Sequence, residues 1–252
     1  MPSYISAAPE FLENYKLSIE NKQYGEATKI TSELPQLIEK HTNTTADNLR
    51  LFGIKLQEDK RLLESILIFD AASVLSKKIE NPEAKLEMVQ FCVKGMRDAN
   101  QAMVGEDPDM KVVVKDYVIP LMRDKLQQME NTLSVSEQYK CIQIVWVLLC
   151  IEYSQALVDQ LKESEQTLHE GLKRMDEVFG QNKITYRVYG TLFHNLGWAS
   201  LVASHFREAV SFYKQAIDVF KAATDYGGDE WVKKLDIERS GRGLKIAQTL
   251  CQ

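Results

Sequence analysis

The side chains that could do chemistry on this chain are few and poorly grouped. Its histidines are His41, His169, His194 and His205, and its cysteines are Cys92, Cys141, Cys150 and Cys251. His169-Glu170 opens like a zinc-protease helix, in which a second histidine one turn later completes the ligand pair. The residue four positions after His169 is Lys173, so that ligand is missing. No cysteine or carboxylate completes a site around the other histidines, and the cysteines lack CxxC spacing. No metal and no other cofactor is expected. Cys141 and Cys150 lie in the apolar run 141–151 without a histidine base, which argues against a thiolate nucleophile. Three of the four cysteines sit in apolar runs, as buried free thiols of a reducing compartment do. No convergent set of titratable groups stands out, so an enzyme is not expected.

Recognition chemistry is better represented. Arg239, Arg242 and Lys245, in "ERSGRGLK", are three residues apart and share one side of a helix. Such a patch could take an acidic peptide or a phosphate. Neighbouring acids nearly cancel it, leaving the segment 227–252 at +1, so a solvated capping helix over 229–249 is the plainer expectation. The Gly-x-Gly inside it follows no strand and is not a phosphate loop. The net charge of −5 counts against a nucleic-acid binder, which carries a basic face. "MPSYISAAPEF" has no basic segment leading into an apolar one, so no secretory signal is read. The longest apolar run is eleven residues, short of the roughly 20 a bilayer span needs. A cytoplasmic or nuclear protein without membrane insertion is expected, and the Asn43-Thr44-Thr45 sequon is expected to be idle.

The elements that must position these residues are helices. Period-two alternation and hairpin turns are nearly absent, whereas apolar residues recur at i, i+3, i+4 and i+7. Breaks at Asn81-Pro82, Asp107-Pro108, 180–182 and Gly227-Gly228 separate about eleven helices. The periodicity places them at 6–21, 24–41, 45–57, 59–79, 82–103, 108–130, 136–162, 164–179, 184–203, 205–224 and 229–249. Pro120 should kink or split the sixth, because proline lacks the N–H that a helix interior needs. Short connections make consecutive helices antiparallel. The expected fold is therefore all-α and built of helix hairpins.

A pattern of large and small residues repeats along the chain. Phe206, Ala209, Tyr213 and Ala216 line one helix face, and 38 residues earlier stand Leu168, Gly171, Met175 and Val178. Leu62, Ser65, Phe69 and Ala72 repeat the pattern near the N-terminus, as do Tyr24, Ala27, Thr31 and Leu34 another 38 residues before. Gly53 and Gly197 each stand nine residues ahead of the large residue that opens the pattern. Small residues let two helices approach, and the aromatic fills the gap toward the next hairpin.

With Phe193, Leu196 and Gly197 on its first helix and Phe206, Ala209, Tyr213 and Ala216 on its second, the stretch 190–221 resembles a tetratricopeptide repeat. Ser200 departs from the family's usual aromatic and Lys221 from its frequent proline. Weaker copies lie near 8–38, 46–76 and 152–182, and the segment 80–135 breaks the register. The resemblance implies one right-handed α-solenoid over 1–252. It further implies a concave groove, lined by first helices, that takes a peptide or helix from a protein partner. In that register Thr191, His194, Asn195, Trp198 and Leu201 face the groove, and Tyr186 and Arg187 precede them. The lysines and arginine that clamp a carboxylate tail in part of the family are not reproduced. The expected function is a non-enzymatic interaction scaffold or adaptor. The alternative is a structural subunit of a larger assembly, of the vesicle-trafficking or proteasome-lid kind, docking through its ends, its convex face or the helices of 82–130. Neither reading specifies an oligomeric state.

Overall fold

The computed structural model describes residues 9–41 and 45–251. The expected helix start at residue 6 and the sequon residues Asn43 and Thr44 lie outside the described residues. Among those described are eleven helices and no strand. In chain order they are α1 (Pro9–Glu20), α2 (Tyr24–His41), α3 (Ala46–Glu58), α4 (Leu62–Leu75), α5 (Pro82–Glu106) and α6 (111–130). After them come α7 (Glu137–Leu157), α8 (Leu161–Phe179), α9 (Arg187–Val202), α10 (Phe206–Ala222) and α11 (Glu230–Leu250). Pro120 has the expected effect in a particular form. A π turn at Val114–Val118 interrupts α6 just ahead of it, which widens the helix where the proline ring and missing N–H disrupt the ladder.

One turn geometry makes the hairpins. Lys22, Lys60 and Ser204 have φ of 57°, 59° and 62°, and each stands two residues before a second helix begins. The amide of each donates to the carbonyl three residues back, to Ile19, Gln57 and Leu201 at 2.9, 3.0 and 3.1 Å. The next amide donates five residues back, from Gln23 to Ser18, from Arg61 to Leu56 and from His205 to Ser200, at 2.7, 2.8 and 2.8 Å. These paired bonds satisfy the last carbonyls of the first helix while the chain reverses. Asp159, with φ of 63°, makes the same left-handed step before α8. None of the four is glycine.

This turn corrects the repeat register. Tyr24, Leu62 and Phe206 open second helices, as the spacing predicts. In the third copy that place belongs to Leu161, followed by Ser164, Leu168 and Gly171. The set expected there, from Leu168 to Val178, begins one heptad too late, because an amphipathic helix shows the same face every seven residues. The stride from the third copy to the fourth is 45 residues rather than 38. The same turn ends the helix expected over 136–162 at Leu157.

By packing, the chain divides into two compact units, Met1–Asp159 and Gln160–Gln252. The hairpin expected near 152–182 straddles their boundary. In the first unit α4 packs on α3 and α5, and α5 packs on α7. Phe69 on α4 is buried between two glycines: a Cβ added at Gly53 would stand 2.8 Å from its ring, and one at Gly95 2.5 Å. The segment 80–135 supplies core rather than connection, with Leu86, Val89 and Met96 of α5 and Val114 and Met122 of α6 buried. Lys125 on α6 pairs at 2.7 Å with Asp70 on α4, both side chains buried. By length and composition α7 could cross a membrane, but Val147, Leu148 and Ile151 lie inside the unit.

The second unit repeats the glycine–ring contact. Tyr213 on α10 lies between Gly197 of α9, where an added Cβ would stand 2.9 Å from the ring, and Gly243 of α11, closer still. Ala209 and Ala216 beside it are fully buried. Phe220 abuts Gly190, and Leu192 abuts Gly171 of α8. These are TPR-like hairpins, in which tiny residues on one helix admit a bulky residue of the next.

Candidate interaction face

The second unit brings together two groups of residues that the sequence leaves about forty positions apart. The N-terminus of α9 is held from across the fold, where Asp225 Oδ1 accepts the Arg187 amide at 2.7 Å. The Arg187 guanidinium then reaches α11, with Nε 2.7 Å from Asp236 Oδ2 and Nη2 3.5 Å from Oδ1. Tyr226 donates its hydroxyl to the same carboxylate at 3.2 Å, and Arg187 lies 5.5 Å from its ring. Burial, with Asp236 alongside, pushes the Tyr226 phenol well above its ordinary pKa. Two turns further along α9, His194 Nδ1 lies 2.9 Å from Ser240 Oγ, with its ring edge-on to Tyr213. Burial chiefly, and then the Arg239 charge, lower the His194 pKa to about 4, against a raising pull from Asp236. A neutral imidazole at neutral pH follows. Farther on, Leu201 and Leu244 each pack against the cluster of Ala209, Tyr213 and Ala247. Contacts 187 to 236 and 194 to 240 advance together, so α9 and α11 run side by side in the same direction, with α10 behind both.

Beyond this seam both helices turn toward solvent. Trp198 and Val202, four and eight residues after His194, are 42% and 48% exposed. On α11 the buried positions are Asp236, Ser240, Gly243 and Ala247, which leaves Arg239, Arg242 and Lys245 exposed. No ion pair involves any of these three cations among the described residues, whereas Glu238 is within 3.9 Å of Lys234. The groove expected on α9 and the cationic patch expected on α11 therefore lie on neighbouring helices. Of the expected groove residues, Arg187 and His194 are engaged in binding α9 to α11. Tyr186 rests on Phe179, with ring centroids 4.4 Å apart, and Thr191 donates to the Arg187 carbonyl at 3.2 Å. Asn195 is half-buried and already has an interaction within the chain. Trp198 is the member whose side chain is exposed.

Sequence reasoning missed the apolar part of α11. Trp231 is 70% exposed, and Ile246 and Leu250 are about half exposed. The signal was present, since 231, 235, 246 and 250 do not fit the spacing of the buried set. Sequence reasoning also missed a face of the first unit. There Arg50 lies 5.7 Å from the exposed Phe91 ring, and Arg97 lies 5.8 Å from the exposed Tyr153 ring. A cavity of about 750 Å³ in the first unit is lined by Lys77, Lys85 and Lys125 together with Glu80 and Asp124, a mixed set without one dominant charge. Burial raises the Cys92 thiol far above its ordinary pKa and the Cys150 thiol to about 11, so both are protonated at neutral pH. Among the described residues, no three His, Cys, Asp or Glu side chains gather as a metal-holding group.

No family model matches the sequence, and no curated protein matches it. Solved structures do. A protein from Podosopora anserina assigned to the kinesin light chains, with nearly identical TPR-like repeats, is 13% identical. That match covers 87% of this chain and 97% of the other, with a TM-score of 0.47. BtubC (BKLC) from P. vanneervenii is 11% identical over 98% of this chain and 89% of its own, with a TM-score of 0.48.

Proposed function

We propose that this chain is a non-enzymatic protein-interaction scaffold, and that the α9–α11 face of the second unit receives a segment of a protein partner. One observation carries this reading: α9 exposes a tryptophan, and α11, hydrogen-bonded beside it, exposes a row of cations with no ion-pair partner among the described residues. Tryptophan and arginine are the residue types that dominate binding energy where they meet a partner. The seam beneath them is rigid, because Arg187–Asp236 and His194–Ser240 fix the two helices, so little ordering is needed on binding. Protonated, unlinked thiols fit a reducing compartment such as the cytoplasm. An assembly subunit docking through 82–130 has less support, since much of α5 and α6 is already buried in the first unit.

Affinity capture with the wild-type chain and with Trp198→Ala, read by mass spectrometry, tests the proposal. A discrete set of partners should be retained by wild type and lost by the variant, with the melting temperature changed by no more than about 2 °C. Capture of no specific partner, or of an identical set by both proteins, contradicts it.

A further inference from the structure

We infer that the occupant of this face is an acidic amphipathic helix lying along α11, a conclusion that rests on the scaffold reading and specifies its partner. Three observations lead there. The first is charge. Arg239, Arg242 and Lys245 follow one another at single-turn spacing and are exposed, with no ion-pair partner among the described residues, in a chain whose net charge is −5. A partner with carboxylates at matching intervals would neutralise them. A second copy of this chain would set arginine against arginine, so self-pairing through α11 is disfavoured by the same cations.

The second observation is the apolar pattern. Trp231 and Leu235 precede the cations, and Ile246 and Leu250 follow or flank them, with Trp231, Ile246 and Leu250 each at least half exposed. Intervals of four and eleven residues bring all four to one side of a helix, where a facing helix can pack between them. From Trp231 to Leu250 the stripe runs roughly 28 Å at 1.5 Å per residue, a length that a partner helix of about 20 residues matches.

The third is what the face lacks. An extended peptide exposes a main-chain donor and acceptor at every residue, and a groove that holds one must supply side-chain amides or hydroxyls. On α9, Thr191 donates its hydroxyl to the Arg187 carbonyl, and Asn195 is engaged within the chain. A helix satisfies its own backbone and asks only for apolar contact and charge, which is what α11 offers.

The test uses the full chain and three synthetic peptides that share one leucine stripe. One carries glutamates on its flanks, one carries lysines instead, and one carries the glutamates plus a central proline that breaks the helix. Binding is read by anisotropy of the labelled peptide. The glutamate peptide should bind, its affinity should fall with added salt, and the lysine peptide should show no binding. The proline peptide, and the R239E/R242E/K245E variant of the chain with the glutamate peptide, should each be weaker by about tenfold or more. Trp231→Ala should weaken the glutamate peptide too. Equal binding of the lysine peptide, or full binding to the charge-reversed chain, overturns the inference. Full binding of the proline peptide also overturns it, in favour of an extended ligand. Sedimentation with phosphatidylserine vesicles that depends on the three cations, in the absence of glutamate-peptide binding, would reassign the face to an anionic membrane. The two proposals fail separately. If partners are captured through Trp198 while the glutamate peptide is ignored, only the acidic-helix inference falls, whereas absence of any captured partner removes the scaffold reading itself.

Discussion

Two glycines on α11 should respond to the same substitution with opposite signs. Gly241 has open space around the position a Cβ would take, with nothing within 4 Å, so Gly241→Ala adds a methyl group without a contact. Its effect is helix propensity alone, a gain of about 0.5–1 kcal/mol. Gly243, two residues on, is pressed against the Tyr213 ring. That ring cannot retreat, because on its other side a Cβ at Gly197 would already stand 2.9 Å away, and Tyr213 is only 2% exposed. Forcing an extra methyl into such a contact costs about 1–3 kcal/mol, which propensity offsets by up to about 1 kcal/mol. The net for Gly243→Ala is a loss of about 1 kcal/mol or more. Thermal unfolding should separate the two variants clearly, since 1 kcal/mol moves the midpoint by about 4–8 °C in a unit of this size. Were Gly243→Ala as stable as Gly241→Ala, the ring-on-glycine contact would not be what spaces α10 from α11. The explanation of the repeat pattern would then be wrong.

Other perturbations probe other parts of the molecule. Lys125→Met strands the buried Asp70 carboxylate and should cost about 3–5 kcal/mol in denaturant unfolding, while replacing both partners with apolar residues should recover most of it. His194 is held near pKa 4 in the fold, against about 6.5 when unfolded, so folding favours its neutral form. Its contribution is complete above about pH 6.5 and is lost as pH falls toward 4, in total about 3 kcal/mol. Unfolding midpoints of wild type and His194→Gln should therefore converge on acidification through that window. Ser204→Gly relieves a left-handed residue at the α9–α10 turn and should raise stability by about 0.5 kcal/mol, and a loss in the melt would count against the turn geometry.

The all-α hairpin architecture was legible because its signals are local. The 3.6-residue period, the proline starts of Pro82 and Pro108 and the loops at 180–182 and 227–228 each act within a few residues. The turns inside the hairpins were harder to see. Lys22, Lys60, Asp159 and Ser204 carry the left-handed step without glycine, because neighbouring hydrogen bonds enforce a conformation that the residue type does not announce. That is why spacing alone sets the third copy a heptad late. Periodicity defines a face, but only the turn defines where along the helix the pattern begins.

What the sequence determined by itself was which residues are tiny and which are bulky, and hence that helices would pair through Gly53, Phe69, Gly197 and Tyr213. It also placed Trp198 and the three cations on exposed helix sides. The tertiary structure decided that the two helices carrying those groups are neighbours. Side-by-side placement of α9 and α11 depends on Arg187 finding Asp236 and His194 finding Ser240, pairs separated by 49 and 46 residues. Hydrogen bonds of that span select one arrangement among many that local periodicity permits equally.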